Sequence, residues 1–160
     1  MPDISDEFFM KEAVKEARLS DVSDDVPVGC VIVLGGEIIG RGHNTRELRS
    51  SALGHAEIDA ISEACGHRKS WRLSGCTMYV TLEPCPMCAG AAVSARIDRV
   101  VIGAKDSKAG ALGSVIDMNS YPLNHKIKTE YGVCSEECSS LLKEFFEKKR
   151  RKSKQSRDSE

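Results

Sequence analysis

The sequence predicts an α/β layered fold, with helices on both faces of a mixed sheet of about five strands. Three observations predict it. The first is a hairpin: an apolar, β-branched run over 26–34, a Gly35-Gly36 turn, and a short returning run over 37–41. The second is the alternation of strand-like and helix-like patterns that follows it. The third is size: 160 residues with 41% hydrophobic content suit one compact domain with a real core.

The elements follow in order. Residues 5–19 place Phe8, Phe9, Ala13, Val14, Ala17 and Leu19 among Glu and Lys, the spacing of an amphipathic helix, with Ser5 as its cap. Asp21 to Asp25 breaks it. The run 26–34 is apolar on both faces, so it reads as a central strand. Residues 42–54, rich in Gly, Asn, Arg and Ser, form a loop. His55 to Ala64 carries Ala56, Ala60, Ile61 and Ala64 at helical spacing and ends at Cys65-Gly66. A strand over 76–81 precedes a small-residue helix that Pro84 opens and that runs through Ala95. Residues 99–103 form a third core strand. Residues 105–119 form a Gly- and Ala-punctuated loop, and 126–131 an edge strand. A last helix runs from Ser135 to about Arg150, with Cys138, Leu141, Leu142, Phe145 and Phe146 on its apolar side.

Formal charge is −1, so net charge gives no argument for nucleic acid. Its distribution is more telling. The first 25 residues are acid-rich, whereas Lys148-Lys-Arg-Arg-Lys-Ser-Lys-Gln-Ser-Arg157 is basic without an acid. Such a run reads as a solvated tail, and its functional reading is an arm that attracts RNA. The acidic start does not read as a secretory leader, and no apolar run approaches the roughly 20 residues of a membrane span. With seven cysteines and no leader, a reducing cytoplasmic compartment is expected rather than a disulfide framework.

Two short segments carry the chemistry: His55-Ala56-Glu57 and Pro84-Cys85-Pro86-Met87-Cys88. Cys85 and Cys88 stand three apart, so one face of a first helical turn presents both. Free N–H groups and the helix dipole at that end favour thiolates, the form that binds metal. His55 starts its own helix and supplies a third ligand if the two helix ends converge. Two sulfurs and one imidazole suit zinc. None of the other cysteines completes a second Cys-x-x-Cys, although Cys134 and Cys138 make a loose pair, and His43, His67 and His125 lie in loops. Three protein ligands plus water is therefore the better reading, and zinc lowers the pKa of such a water to about 7. Glu57 stands two residues from a ligand, placed for general acid–base work. Burial raises the pKa of such a carboxyl and a metal's charge lowers it. His-x-Glu followed by Pro-Cys-x-x-Cys is the zinc-deaminase signature.

Beyond these segments, the chain carries Val26-Pro-Val-Gly29, Gly42-His-Asn44, Tyr79-Val-Thr-Leu-Glu-Pro-Cys-Pro-Met-Cys-Ala-Gly90, Gly103-Ala-Lys-Asp-Ser-Lys-Ala-Gly110, Leu123-Asn-His125 and Glu137-Cys-Ser-Ser-Leu-Leu-Lys-Glu-Phe-Phe146. In this ordered series, over roughly residues 6–151, it resembles the bacterial tRNA-specific adenosine deaminases of the cytidine-deaminase-like superfamily. The resemblance implies the three-layer α/β/α fold of that superfamily. It implies a zinc-dependent hydrolase, with one zinc ion per subunit, that converts adenosine to inosine at the first anticodon (wobble) position of a tRNA. His55, Cys85 and Cys88 would bind the zinc and Glu57 would shuttle protons. Asn44 would hydrogen-bond the target nucleotide and Val28 would wall the base pocket. Asp106 and Lys108 would approach the anticodon backbone, and Phe145 with the basic residues after it would end a helix near the RNA. The partners it implies are a tRNA anticodon stem-loop and a second copy of the chain, with no membrane and no DNA. On this reading residues 1–150 form the deaminase domain and 151–160 a basic, disordered tail.

Each substrate residue also has a plainer reading. Val28 begins an apolar strand, Asn44 suits a turn, and Asp106-Ser107-Lys108 suits a solvated loop. The chain departs from the family at Ser50-Ser-Ala-Leu-Gly54, where an Asp-Pro-Thr-Ala lead-in is usual, and Gly54 is expected to loosen the backbone there. Two rival functions remain. One is a deaminase of free guanine or cytosine, or of a nucleoside, with the same zinc site. The other is a non-catalytic RNA-binding protein that uses zinc for stability.

Overall fold

The computed structural model describes residues 4–159, with side chains from Asp6 onward. Its elements run α1 (Ile4–Arg18), β1 (Gly29–Leu34), β2 (Glu37–His43), α2 (Ala56–Arg68), β3 (Thr77–Leu82), α3 (Pro86–Ser94), β4 (Arg99–Ala104), β5 (Lys128–Tyr131) and α4 (Ser135–Asp158). The five strands form one sheet in the order β2-β1-β3-β4-β5. β1 is antiparallel to both neighbours, and β3, β4 and β5 run parallel, so the sheet is mixed as expected.

Alternation along the strands builds two cores. Cys30 and Ile32 of β1, Met78 and Val80 of β3, and Val100 and Ile102 of β4 face α2 and α3. Val31, Val33, Tyr79 and Val101 face α1 and α4. The layers are therefore α2/α3, sheet, and α1/α4, the three-layer arrangement of the superfamily.

Several boundaries differ from the sequence reading. The backbone of Ser5 is already helical and its side chain lies outside the described residues, so its capping role is not described. Leu19 does not join the apolar face of α1. It opens a 3-10 turn over Leu19–Ser23 and is exposed, as is Phe8. Met10 fills the core position instead. Pro86, not Pro84, is the first residue of α3. The last helix does not stop near Arg150, and the segment expected as a disordered tail is helical through Asp158. The reason is local: no Gly or Pro interrupts 135–158, Lys, Arg and Gln are good helix formers, and Glu147 and Arg151 pair one turn apart at 3.9 Å. Among the described residues, no helix is long and apolar enough to cross a membrane.

One partly buried charge cluster ties the first helix to the sheet. Arg99 of β4 donates to both oxygens of Asp6 on α1, at 3.0 and 2.6 Å, and to Glu130 of β5 at 3.0 and 2.7 Å. The Tyr79 hydroxyl adds a bond to Asp6 at 2.6 Å. The bonds from Arg99 hold the Asp6 carboxyl below its usual range. Its stabilising contribution is therefore complete above the unfolded pKa of about 3.9 and is lost as pH falls through the lower folded value. Asp6→Asn is expected to cost about 1.5–3 kcal/mol at neutral pH, the scale of a charge-assisted bond, and to flatten the acid side of a Tm-against-pH curve. An unchanged curve would remove the cluster from the account of stability.

Candidate active site

The strand directions bring the site together. β3 and β4 are parallel, so their C-terminal ends, leading to Cys85 and Asp106, lie side by side. β1 is antiparallel to β3, and Gly29 pairs with His43 at the end of β2. Val28 and Asn44 therefore reach the same edge of the sheet. Open α/β sheets bind ligands at this edge, beyond the carboxyl ends of the parallel strands.

α2 and α3 begin here. His55 is the N-cap of α2 and Cys85 the N-cap of α3, both in extended backbone and neither making a side-chain cap bond. N-caps are usually Ser, Thr, Asp or Asn, whose side chains bond the first free N–H groups. His and Cys break that local rule and keep their side chains available, which marks a functional site. His55 Nδ1 lies 3.6 Å from Cys85 Sγ and 3.5 Å from Cys88 Sγ. Zinc bonds of about 2.3 Å to sulfur and about 2.0–2.1 Å to nitrogen, at tetrahedral angles, require an N···S separation of about 3.6 Å. Both nitrogen–sulfur separations thus match those of a tetrahedral zinc site, and all three ligand atoms lie within 4.8 Å of one another. Among the described residues they form the one His/Cys/Asp/Glu group close enough to hold a metal ion. Among the described residues the loose pair Cys134 and Cys138 gains no third ligand, and Cys138, on the buried face of α4, packs in the core.

The electrostatics agree with a cation site. The hydrogen bond from Cys88 holds the Cys85 thiol down at about 4, against the cost of burial and with help from His55. Cys88 keeps its proton for the same reason, since two neighbouring thiolates repel unless a cation lies between them. His55 is shifted up, first by its bond to Cys85. Glu57, 4% exposed in the first turn of α2, is pushed up to about 7 by burial, with His55 pulling the other way.

A cavity of about 220 Å³ opens onto this group, lined by His55, Glu57 and Cys85 and, on its walls, by Val28, Asn44 and Asp106. It is smaller than the roughly 300–1,000 Å³ typical of drug-sized ligands, and suits a single base. Arg46 and Glu83 also line it, and neither was singled out by sequence spacing. Two of the sequence-predicted substrate residues lie elsewhere. Lys108 is exposed and outside the cavity. Phe145 is 6% exposed and packed in the protein, whereas Phe146 is 43% exposed. The rings are 5.3 Å apart and edge-on, and helical geometry sends them about 100° apart. A surface contact at this point of α4 therefore falls to Phe146 and not to Phe145. Phe146 borders a shallow hollow with Lys149, Arg150, Lys154 and Arg157.

The loop carrying Asn44 is tightly held. Asn44 Oδ1 accepts the Arg46 N–H and its Nδ2 donates to the Val26 carbonyl, so it forms the turn and also faces the cavity. Asp25, buried between elements, accepts the N–H groups of Glu47 and Leu48 at 2.6 and 3.2 Å. Gly54 does not loosen the lead-in to α2, as its residue type suggested. A Cβ there would stand 3.0 Å from the Arg46 backbone, so Gly54 permits the close packing of the two arms of the loop.

Comparison with known proteins now places the chain. A family model described as MafB19-like deaminase matches residues 4–150. The tRNA-specific adenosine deaminase of Bacillus subtilis (strain 168) is 47% identical over 153 residues, covering 95% of each chain. The chain belongs to the tRNA-specific adenosine deaminases. A solved structure described as a tRNA:A34 deaminase, editing A to I at the wobble position of transfer RNA, superposes with a TM-score of 0.82 at 40% identity. It covers 84% of this chain and 99% of that one. Guanine deaminase from Bacillus subtilis matches less closely, with TM-score 0.59, 30% identity, and 74% and 86% coverage. The deaminase fold and the His/Cys/Cys group thus coincide in one chain, and the group lies beside the cavity at the sheet edge where open α/β sheets bind ligands.

Proposed function

We propose that this deaminase converts adenosine to inosine in tRNA, at the first anticodon position, using one zinc ion held by His55, Cys85 and Cys88. The observation that carries the zinc chemistry is the zinc-like spacing of His55 Nδ1 from both sulfurs beside a base-sized cavity, with the buried Glu57 next to them, and the 47% identity to a tRNA-specific adenosine deaminase supports the substrate. Zinc in this site would polarise water and make it a nucleophile near neutral pH. Glu57 then takes a proton from the attacking water and delivers it to the departing nitrogen. A carbon–oxygen bond forms at carbon 6, the second water proton ends on ring nitrogen N1 as the carbonyl forms, the bond from carbon 6 to its exocyclic nitrogen breaks, and ammonia leaves. Burial, which raises this carboxyl, and the zinc charge, which would lower it, act against each other, and the transfer uses both protonation states in turn. Val28 supplies an apolar wall. Asn44, with one amide hydrogen and one lone pair left after its turn bonds, contacts the nucleotide. Asp106 lines the same cavity.

An enclosed site of this size admits a base only after it leaves its stack, and an anticodon loop presents bases already splayed out. The basic face of α4 around Phe146, together with Lys108, holds the phosphates, and contacts of this kind weaken as salt rises. We assign catalysis to residues 1–150, place the enzyme in the cytoplasm, and expect it to act as a homodimer.

The likeness to guanine deaminase supports a second reading, a free-base substrate in the same cavity. Ammonia release measured on an adenosine-containing anticodon stem-loop, beside free guanine, cytosine and adenosine, separates the two. The stem-loop is expected to turn over far faster. Faster turnover of any free base would overturn the tRNA reading.

A further inference from the structure

Glu83 stands two residues before a metal ligand, is 2% exposed, and has no part in the proton transfer described above. Its carboxylate nevertheless gathers four donors from the loop between β4 and β5. Oε1 accepts the Asp106 N–H at 3.2 Å and the Ser114 hydroxyl at 2.5 Å. Oε2 accepts the N–H groups of Leu112 and Ser114 at 3.0 and 3.1 Å. The bonding continues next door, where the Ala111 N–H donates to the Pro84 carbonyl at 2.9 Å. Gly110 packs against the carboxylate so closely that a Cβ would collide with it. This buried acid fills its acceptor sites with one loop, and that loop carries Asp106 and Ala109 of the cavity wall.

We propose that Glu83 is a positioning residue: it fastens the substrate-facing loop 106–114 to the turn that carries Cys85, and so sets the cavity wall against the metal-ligand group. The Asp106 side chain, in turn, accepts the N–H groups of Lys108 and Ala109 at 3.0 and 3.1 Å, so the order imposed at Asp106 N passes directly into the tip of the loop. A carboxylate suits this place because it accepts at both oxygens and donates at neither. A glutamine of the same size cannot do the same. Its amide nitrogen fits opposite the Ser114 hydroxyl, which turns to accept, but the Asp106 N–H then faces a donor. Glu83→Gln therefore releases Asp106 selectively while the Leu112 and Ser114 N–H bonds remain.

The proposal rests on the tRNA reading for its kinetic test and on geometry alone for its second test. In Glu83→Gln, KM for the anticodon stem-loop is expected to rise about tenfold, the scale of one charge-assisted hydrogen bond, with kcat within about threefold. Zinc content by elemental analysis should equal that of the wild type. Amide hydrogen exchange should quicken across 106–114 and not across α3. Unchanged KM and unchanged exchange in this variant would overturn the proposal. So would loss of zinc together with faster exchange in α3, which would place Glu83 in the support of the metal turn alone. If the wild type itself failed to turn over the stem-loop, the substrate reading would fall, and the exchange pattern would still decide the role of Glu83.

Discussion

Replacing Glu57 by Gln is expected to lower ammonia release by about 10²–10⁴-fold while leaving zinc content and fold intact. Gln matches Glu in volume, so the buried site at the start of α2 stays filled. It carries no proton that can move at neutral pH, so the transfer between the attacking water and the leaving nitrogen loses its carrier. Burial pushes the Glu57 carboxyl up and the charge of a bound zinc ion would pull it down, so the group can take and return a proton within one turnover. The measurements are ammonia release and inosine formation on the stem-loop, with zinc by elemental analysis and folding by circular dichroism. Near-normal turnover by a folded, zinc-loaded Glu57→Gln would remove the proton role. It would also favour the rival in which zinc only stabilises an RNA-binding protein.

His55→Ala is expected to lose most of the bound zinc and with it all measurable turnover. The imidazole nitrogen lies at zinc-like distances of 3.6 and 3.5 Å from the two sulfurs, and removing it leaves only those two sulfurs to hold the ion. Ligand binding to the folded state raises apparent stability. Added zinc should therefore raise the Tm of the stripped wild type and leave that of His55→Ala nearly unmoved. Full zinc retention in the variant would refute His55 as a ligand. A zinc-dependent Tm shift equal to that of the wild type would do the same.

What the sequence by itself determined is the chemistry that lies within a few residues of chain. The Cys85–Cys88 spacing places two sulfurs on one helical turn wherever that helix sits. Glu57 follows His55 closely enough to share the same helix start. The hairpin and the alternation of strands and helices set the fold class for a related reason, since hydrophobic period is a local signal. Even the tRNA family was readable, because its motifs recur in order along the chain.

Only the tertiary structure decided the rest. That His55 meets Cys85 across 30 residues depends on β2 and β3 lying on either side of β1 in their observed registers. A slip of one residue in either pairing would send alternate side chains to the wrong face. Asp25 and Glu83 look like ordinary acids in sequence, and they act through backbone N–H groups 22–23 and 23–31 residues away, respectively. Backbone donors have no signature in residue type, so neither staple was legible. Phe145 and Phe146 are the same residue twice in sequence. The packing of α4 on the sheet buried the first and exposed the second. The zinc ligands were thus written in local spacing, whereas the walls that shape the base cavity were set by long-range pairing, which one chain read end to end does not display.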